Sequence, residues 1–412
     1  MVVMKFKRSL SLCILVVVIF AGVTYLGGTT PIVSATGFSD VPTTYWANEA
    51  IEKSVNQGYF KGFPDGTFKP KNSVSRAEFA ALMARVSDNT EVAGKGQFPD
   101  LQGHWSEQEV NTAISKGIID VKDYTNGFKP NTEITRYEMA KWMATALATK
   151  DEDYNKALSD TKDTVIPIVE YYKGGIVKSQ YPYVSVALGT GLISGYPDGR
   201  FGLDGKTTRA EAATILLRYE NIQTKKATDF VGLNELREVG LTGTNITSFT
   251  PFRYTKEGMS FTDIIGKTVK MKYDVADIKV YRMIVLDIDK NATSRSIYTP
   301  MFIDWETEDT ERYVAIMEMT IKSKKEKLNE SIMMGSSSQR LTTVGSFTGD
   351  TVTKYGVKHI SWDNSLANPV MGIEQRFWTI NGFAKYDMGH DKARIETADG
   401  TIVYLSNIKV QN

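Results

Sequence analysis

Three short phrases repeat one grouping of polar side chains: Ser75-Arg76-Ala77-Glu78, Thr135-Arg136-Tyr137-Glu138 and Thr208-Arg209-Ala210-Glu211. A hydroxyl residue followed three positions later by glutamate marks a capping box, in which both side chains pair with the first free N–H groups of a helix. Ser75, Glu78, Thr135, Glu138, Thr208 and Glu211 are therefore structural caps, each pair contributing roughly 1 kcal/mol, rather than catalytic acids. The arginines remain unexplained. They sit at the positive end of the helix dipole, where an acid is preferred. A guanidinium beside unpaired N–H groups concentrates positive charge suited to a carboxylate or phosphate. Two uses are open: each arginine pairs with an acid of its own or a neighbouring unit, or the three bind a ligand. Recurrence in three copies favours the ligand. Arg76, Arg136 and Arg209 are thus candidates for holding a negatively charged polymer, with Trp46 and Trp105 either stacking on its sugar rings or buried as core. On the ligand reading, Arg76→Ala weakens binding and spares thermal stability, and Ser75→Ala does the reverse.

The phrases lie 60 and 73 residues apart, which points to internal repeats. Gly58, Gly117 and Gly191 precede the three arginines by 18, 19 and 18 residues, and Asp40, Asp100 and Asp160 open the copies. Each copy reads as helix, loop, helix. Trp46, Ile51 and Val55 share one face of a first helix, as do Trp105, Val110 and Ile114. The glycines stop these helices, and "GFPDGTF" and "GYPDGRF" supply tight turns. The second helices carry apolar stripes: Phe79, Leu82, Met83 and Val86, then Met139, Trp142, Met143 and Ala146, then Ala212, Ile215, Leu216 and Tyr219. One unit cannot bury such a stripe alone, so the three pack about a common axis with these helices inward.

Residues 36–222 resemble the surface-layer homology (SLH) domain in its usual set of three, with repeats at 36–92, 93–153 and 154–222. The resemblance implies a pseudo-threefold, three-pronged module that holds exported proteins non-covalently to secondary cell-wall polysaccharide, often bearing pyruvate ketals. It also implies that the arginine of each phrase takes part in binding. Two departures stand out. The second repeat has "DVKDYTNG" in place of the Gly-x-Pro-Asp-Gly turn and Tyr137 where a small residue belongs. The third has 31 residues from Asp160 to Gly191 and Ser179 at the tryptophan position, with Tyr181 and Tyr183 nearby to replace the ring. The grooves therefore rank first, third, second.

The remainder is plainer. With 412 residues, 42% hydrophobic side chains and a net charge of +1, the chain has globular composition and no basic stripe for nucleic acid. Residues 1–35 read as a signal peptide, with an uncleaved anchor as the alternative, and no membrane span is expected after cleavage. The single cysteine, Cys13, lies inside that segment, so no disulfide or cysteine metal site is expected. Residues 223–262 read as a linker with one short helix at 233–239. Val/Ile/Tyr/Thr-rich stretches over 263–412, without helices between them, predict an all-β sandwich, immunoglobulin-like in the loose sense. The opening of a calcium loop at 287–291 lacks its glycine and its bidentate glutamate and reads as a strand end. His390 could stand beside Asp391 and Glu396 or in a solvated turn. No cofactor, metal site or catalytic motif is expected. The function that follows is an exported surface protein tethered to wall polysaccharide and displaying a β domain of unknown partner. The alternatives are a wall-anchored hydrolase and a lattice-forming S-layer subunit.

Overall fold

The computed structural model describes residues 37–87, 96–308, 310–347, 351–360, 369–386 and 393–407. The signal peptide expected over 1–35 lies outside them, as do His390 and Asp391. The first two repeats are α1 (Asn48–Asn56) with α2 (Arg76–Val86), and α3 (Glu107–Ser115) with α4 (Arg136–Lys150). The third is α7 (Tyr181–Gly189) with α8 (Arg209–Ile222), preceded by the inserted helices α5 (Glu152–Asp160) and α6 (Val169–Lys173). Every predicted stripe residue of α2, α4 and α8 is buried, and Phe79 meets Trp142 with ring centroids 6.0 Å apart. The first helices end as expected, with Gly58, Gly117 and Gly191 at φ of 75°, 72° and 72°.

The units close on themselves through backbone. Val74 N donates to Thr207 O (2.9 Å), Thr207 N to Ile134 O (3.3 Å) and Ile134 N to Val74 O (2.9 Å), so one residue from each unit forms a central triangle. Each turn is tied to the start of its unit by a carboxylate. Asp40 accepts from Phe68 N and Lys69 N, and Asp100 accepts from Phe128 N and Lys129 N. In the third unit that role belongs to Glu170, which accepts from Phe201 N and Gly202 N at 3.0 and 2.8 Å. The expected Asp160 is not the counterpart; it pairs with Arg237 instead.

The short helix expected at 233–239 is present as α9 (Val231–Thr242), but the linker expectation around it is corrected: residues 223–262 also contain α10 (Ile246–Phe249), and Leu233, Leu236 and Val239 are buried. Arg237 clasps Asp153 (3.0 Å) and Asp160 (2.8 Å), and Thr164 Oγ1 donates to Leu236 O (2.7 Å). The backbones touch: a Cβ on Gly240 would lie 2.1 Å from Asp160 O, and one on Gly189 2.6 Å from Leu233 Cα. Gly240→Ala is therefore expected to destabilise the full chain by about 2 kcal/mol through overpacking, read by thermal denaturation.

Beyond the joint, β1 (Arg253–Tyr254), β2 (Ala276–Leu286), β3 (Arg312–Ser323), β4 (Glu374–Ala384), β5 (Ala393–Glu396) and β6 (Ile402–Ser406) form two antiparallel three-stranded sheets, ordered β1-β6-β5 and β2-β3-β4. The Asp399-Gly400 turn at 398–401 joins β5 to β6, with Thr397 N donating to Thr401 O. An all-β sandwich does not describe the arrangement. Helices α11 (Thr299–Phe302), α12 (Glu330–Ser336) and α13 (Thr351–Tyr355) intervene, and β1 precedes the expected boundary at 263. One face of the larger sheet, with Ile278, Met317 and Phe377, shares a core with Val403 and Leu405 of the smaller. Its other face, with Ile284, Ile316 and Trp378, packs on Val165, Leu236 and Val239 from the repeat side. β3 is covered on both faces and so is buried almost throughout, rather than alternating.

At this second interface Glu235 of α9 is fully buried. It accepts hydrogen bonds from Asn245 Nδ2 (2.8 Å), Ile297 N (3.2 Å) and the Ser296 hydroxyl. Asn245 in turn pairs with both backbone groups of Val285 on β2.

Candidate functional site

Each capping box is formed as the sequence requires, with Ser75, Thr135 and Thr208 accepting from the N–H of Glu78, Glu138 and Glu211, whose carboxylates return the bond. The free N–H groups expected beside the arginines are occupied. Arg76 N and Ala77 N donate to Thr132 O and Pro130 O of the second unit; Arg136 N and Tyr137 N to Gly205 O and Leu203 O of the third; Arg209 N and Ala210 N to Asn72 O and Pro70 O of the first.

The guanidinium groups follow the same circuit. Arg76 donates to Phe128 O at 3.0 Å and pairs with Glu138 at 2.7 Å. Arg136 donates to Phe201 O and Ser194 O, both at 2.9 Å, lies 3.8 Å from Glu211, and stacks on Tyr196. Arg209 donates to Phe68 O and Lys61 O, both at 2.9 Å, under the rings of Phe60, Phe63 and Phe68. Burial lowers the Arg209 pKa, against the attraction of Glu78 and Asp40. Arg136 and Arg209 are buried, at 4% and 9% exposure. Each arginine thus staples its unit to the next, and the anion-trap geometry expected of exposed amide hydrogens beside a free guanidinium is absent from the described residues. With Phe128 O and Glu138 as its partners, Arg76→Ala is now expected to cost stability, against the sequence expectation.

The tryptophans fall the other way. Trp46 and Trp105 precede α1 and α3, and their indoles are 63% and 58% exposed, so neither belongs to the core. Trp46 lines an open groove of about 890 Å³ between α1 and α8, with Lys53, Arg218 and Glu220. Trp105 lines a smaller one of about 180 Å³ with Lys61, Glu78 and Arg85, and Arg209 reaches its wall. Arg85 and Arg218 were missed by sequence reasoning. Both are exposed and both stand nine residues after a motif arginine, where the second repeat has Thr145. That spacing was a readable signal, since nine residues carry a helical side chain two and a half turns along and onto the opposite face. Arg85 donates to Tyr59 O at 2.7 Å, and Arg218 makes no ion pair among the described residues.

The three helix–loop–helix units thus close into a ring, with open, tryptophan-bearing grooves between neighbours. Residues 37–80, 97–140 and 176–213 match the S-layer homology domain family, and the N-terminal half of the chain carries three such repeats. A cellulosome-anchoring protein of Acetivibrio thermocellus is 36% identical over 113 residues, which are 26% of this chain and 24% of that protein. Exoglucanase XynX of the same organism is 31% identical over 182 residues, 43% of this chain and 16% of the relative. S-layer protein EA1 of Bacillus anthracis is 28% identical over 229 residues, 54% and 25% respectively. The chain spans about a quarter or less of the length of these relatives. The repeats and the surface proteins that share them put this chain at the cell wall or cell surface. Among the described residues no helix is long and apolar enough to cross a membrane, and no three metal-ligating side chains gather.

Proposed function

We propose that the repeat module holds the protein to acidic cell-wall polysaccharide, pyruvylated or otherwise anionic, through two grooves, and that the C-terminal half is displayed for interaction or assembly. The observation that carries this reading is the pairing of an exposed indole with an exposed guanidinium in each groove, Trp46 with Arg218 and Trp105 with Arg85. The indole face offers area to the C–H face of a sugar, and the neighbouring cation selects an anionic substituent. The motif arginines set the spacing of the grooves and only Arg209 borders one of them. The anchoring and S-layer names among the relatives agree with this reading.

Co-sedimentation of the full chain with purified walls tests it. The protein should pellet with intact walls and stay in solution once the polysaccharide is stripped. Trp46→Ala combined with Trp105→Ala should reduce binding about tenfold with an unchanged melting temperature. Equal pelleting with intact and stripped walls would remove the polysaccharide as ligand.

A further inference from the structure

The third unit completes its turn with a carboxylate from outside the repeat pattern. In the first two units Asp40 and Asp100, from the segment that opens each unit, accept from the paired N–H groups of the turn. In the third the acceptor is Glu170 of α6, a helix of five residues that precedes the matched segment 176–213. So short a helix does not hold its shape in water by itself. Ile166 and Ile168 just before it are buried in the core of the repeats, which fixes the entry of the chain. The helix is held from the other side. Val169, Tyr171 and Tyr172 pack on the core that contains Ile316, Trp378 and Tyr355 of the C-terminal half, and Tyr171 also reaches the repeat core.

The C-terminal half closes on the turn as well. A Cβ on Gly199 of "GYPDGRF" would lie 2.7 Å from the Tyr355 ring of α13 and 3.1 Å from Val169, and Lys354 Nζ donates to Pro197 O at 3.1 Å. Val169 N donates to Gly199 O at 2.9 Å, and a Cβ on Gly356 would lie 2.8 Å from Lys173. Turn, α6 and α13 therefore meet in one three-way contact. The first unit has no such cover: a Cβ on Gly66, at the matching place in "GFPDGTF", would meet nothing within 4 Å. The covered turn also carries a seam of the ring, since Phe201 O and Ser194 O accept from the Arg136 guanidinium, which stacks on Tyr196.

We propose that α6 is a conformational latch through which the C-terminal half completes the ring of repeats. The third turn, and the seam it forms with Arg136, are fully ordered only while α13 and the larger sheet are folded against α6. The anchoring module is then conditional on the part it displays. The latch concerns the ring itself and holds whichever ligand the grooves take.

Hydrogen–deuterium exchange of the full chain, read by mass spectrometry on peptides spanning the three turns, tests the latch with two turns as internal controls. Tyr355→Ala should speed backbone exchange at 199–203 about tenfold while 66–70 and 126–130 keep their wild-type rates. Glu170→Ala should produce the same local change without altering the C-terminal half, because it removes the acceptor of Phe201 N and Gly202 N. Lys354→Ala removes an exposed side chain and leaves the core intact, so it should give a smaller, several-fold rise in the same peptide even if Tyr355→Ala does not fold. Unchanged exchange at 199–203 in any folded variant of the three overturns the latch. Equal acceleration of all three turns, the sign of a general loss of stability, overturns it too.

Discussion

Replacing Arg209 with alanine should lower the unfolding free energy of the full chain by about 3 kcal/mol, the largest effect expected of any single substitution in the repeats. Its guanidinium is the donor for Phe68 O and Lys61 O, two carbonyls of the first unit, and is 9% exposed beneath three phenylalanine rings. Hydrogen bonds from a charged donor contribute about 1.5–3 kcal/mol each, and truncation leaves both acceptors short of a partner and a void under the rings. Arg209→Lys should recover little, because one ammonium on a flexible stem cannot reproduce a planar fork reaching two carbonyls at once. Arg76→Ala should be milder, since its side chain retains 17% exposure and water can reach Glu138. Denaturant titration gives the midpoint for each variant. An unchanged midpoint for Arg209→Ala combined with lost wall binding would return this residue to the ligand role.

Glu235 should give the chain a pH-dependent stability that runs opposite to that of an ion-paired acid. Burial raises its carboxyl from 4.5 to about 7, with Ser296, Asn245 and Ile297 N pulling it down and Glu238 pushing it further up. The folded state therefore holds the proton more tightly than the unfolded state. The associated stability is fully present below pH 4.5 and is lost as pH rises through about 7, amounting to about 3 kcal/mol across the window. Glu235→Gln removes the titration. The difference in unfolding free energy between wild type and variant should change by that amount between pH 4.5 and 8, whatever its mean value. A difference independent of pH would contradict the assignment. The group sits where α9 meets the larger sheet, so the linkage is expected to act on the joint between the repeats and the C-terminal half.

The local chemistry of the repeats was legible. Capping boxes, helix-stopping glycines and apolar stripes depend on neighbours within a few residues, and each formed as read. The arginines were not, because their partners are carbonyls 52 to 148 residues away and a carbonyl has no sequence signature. Glu170 replaced Asp160 for a related reason: the turn needs a carboxylate reaching two N–H groups, and a different loop length delivered a different one. In α9 Gly232 and Gly240 serve close backbone approach, and a narrow apolar face of Leu233, Leu236 and Val239 was diluted by polar neighbours. In the C-terminal half the three long strands of the larger sheet and the β5–β6 turn were readable. The short helices between them, four to seven residues long, are too brief to show a period.

The circuit in which each unit's arginine reaches into the following one, and the last returns to the first, sets this module apart from stacked solenoids. An open stack can lose or duplicate a member at its end and keep the rest intact. Here deletion of any member severs two seams at once and strands a charged side chain without acceptors. A cut in any one unit is therefore expected to open the whole ring in a single step.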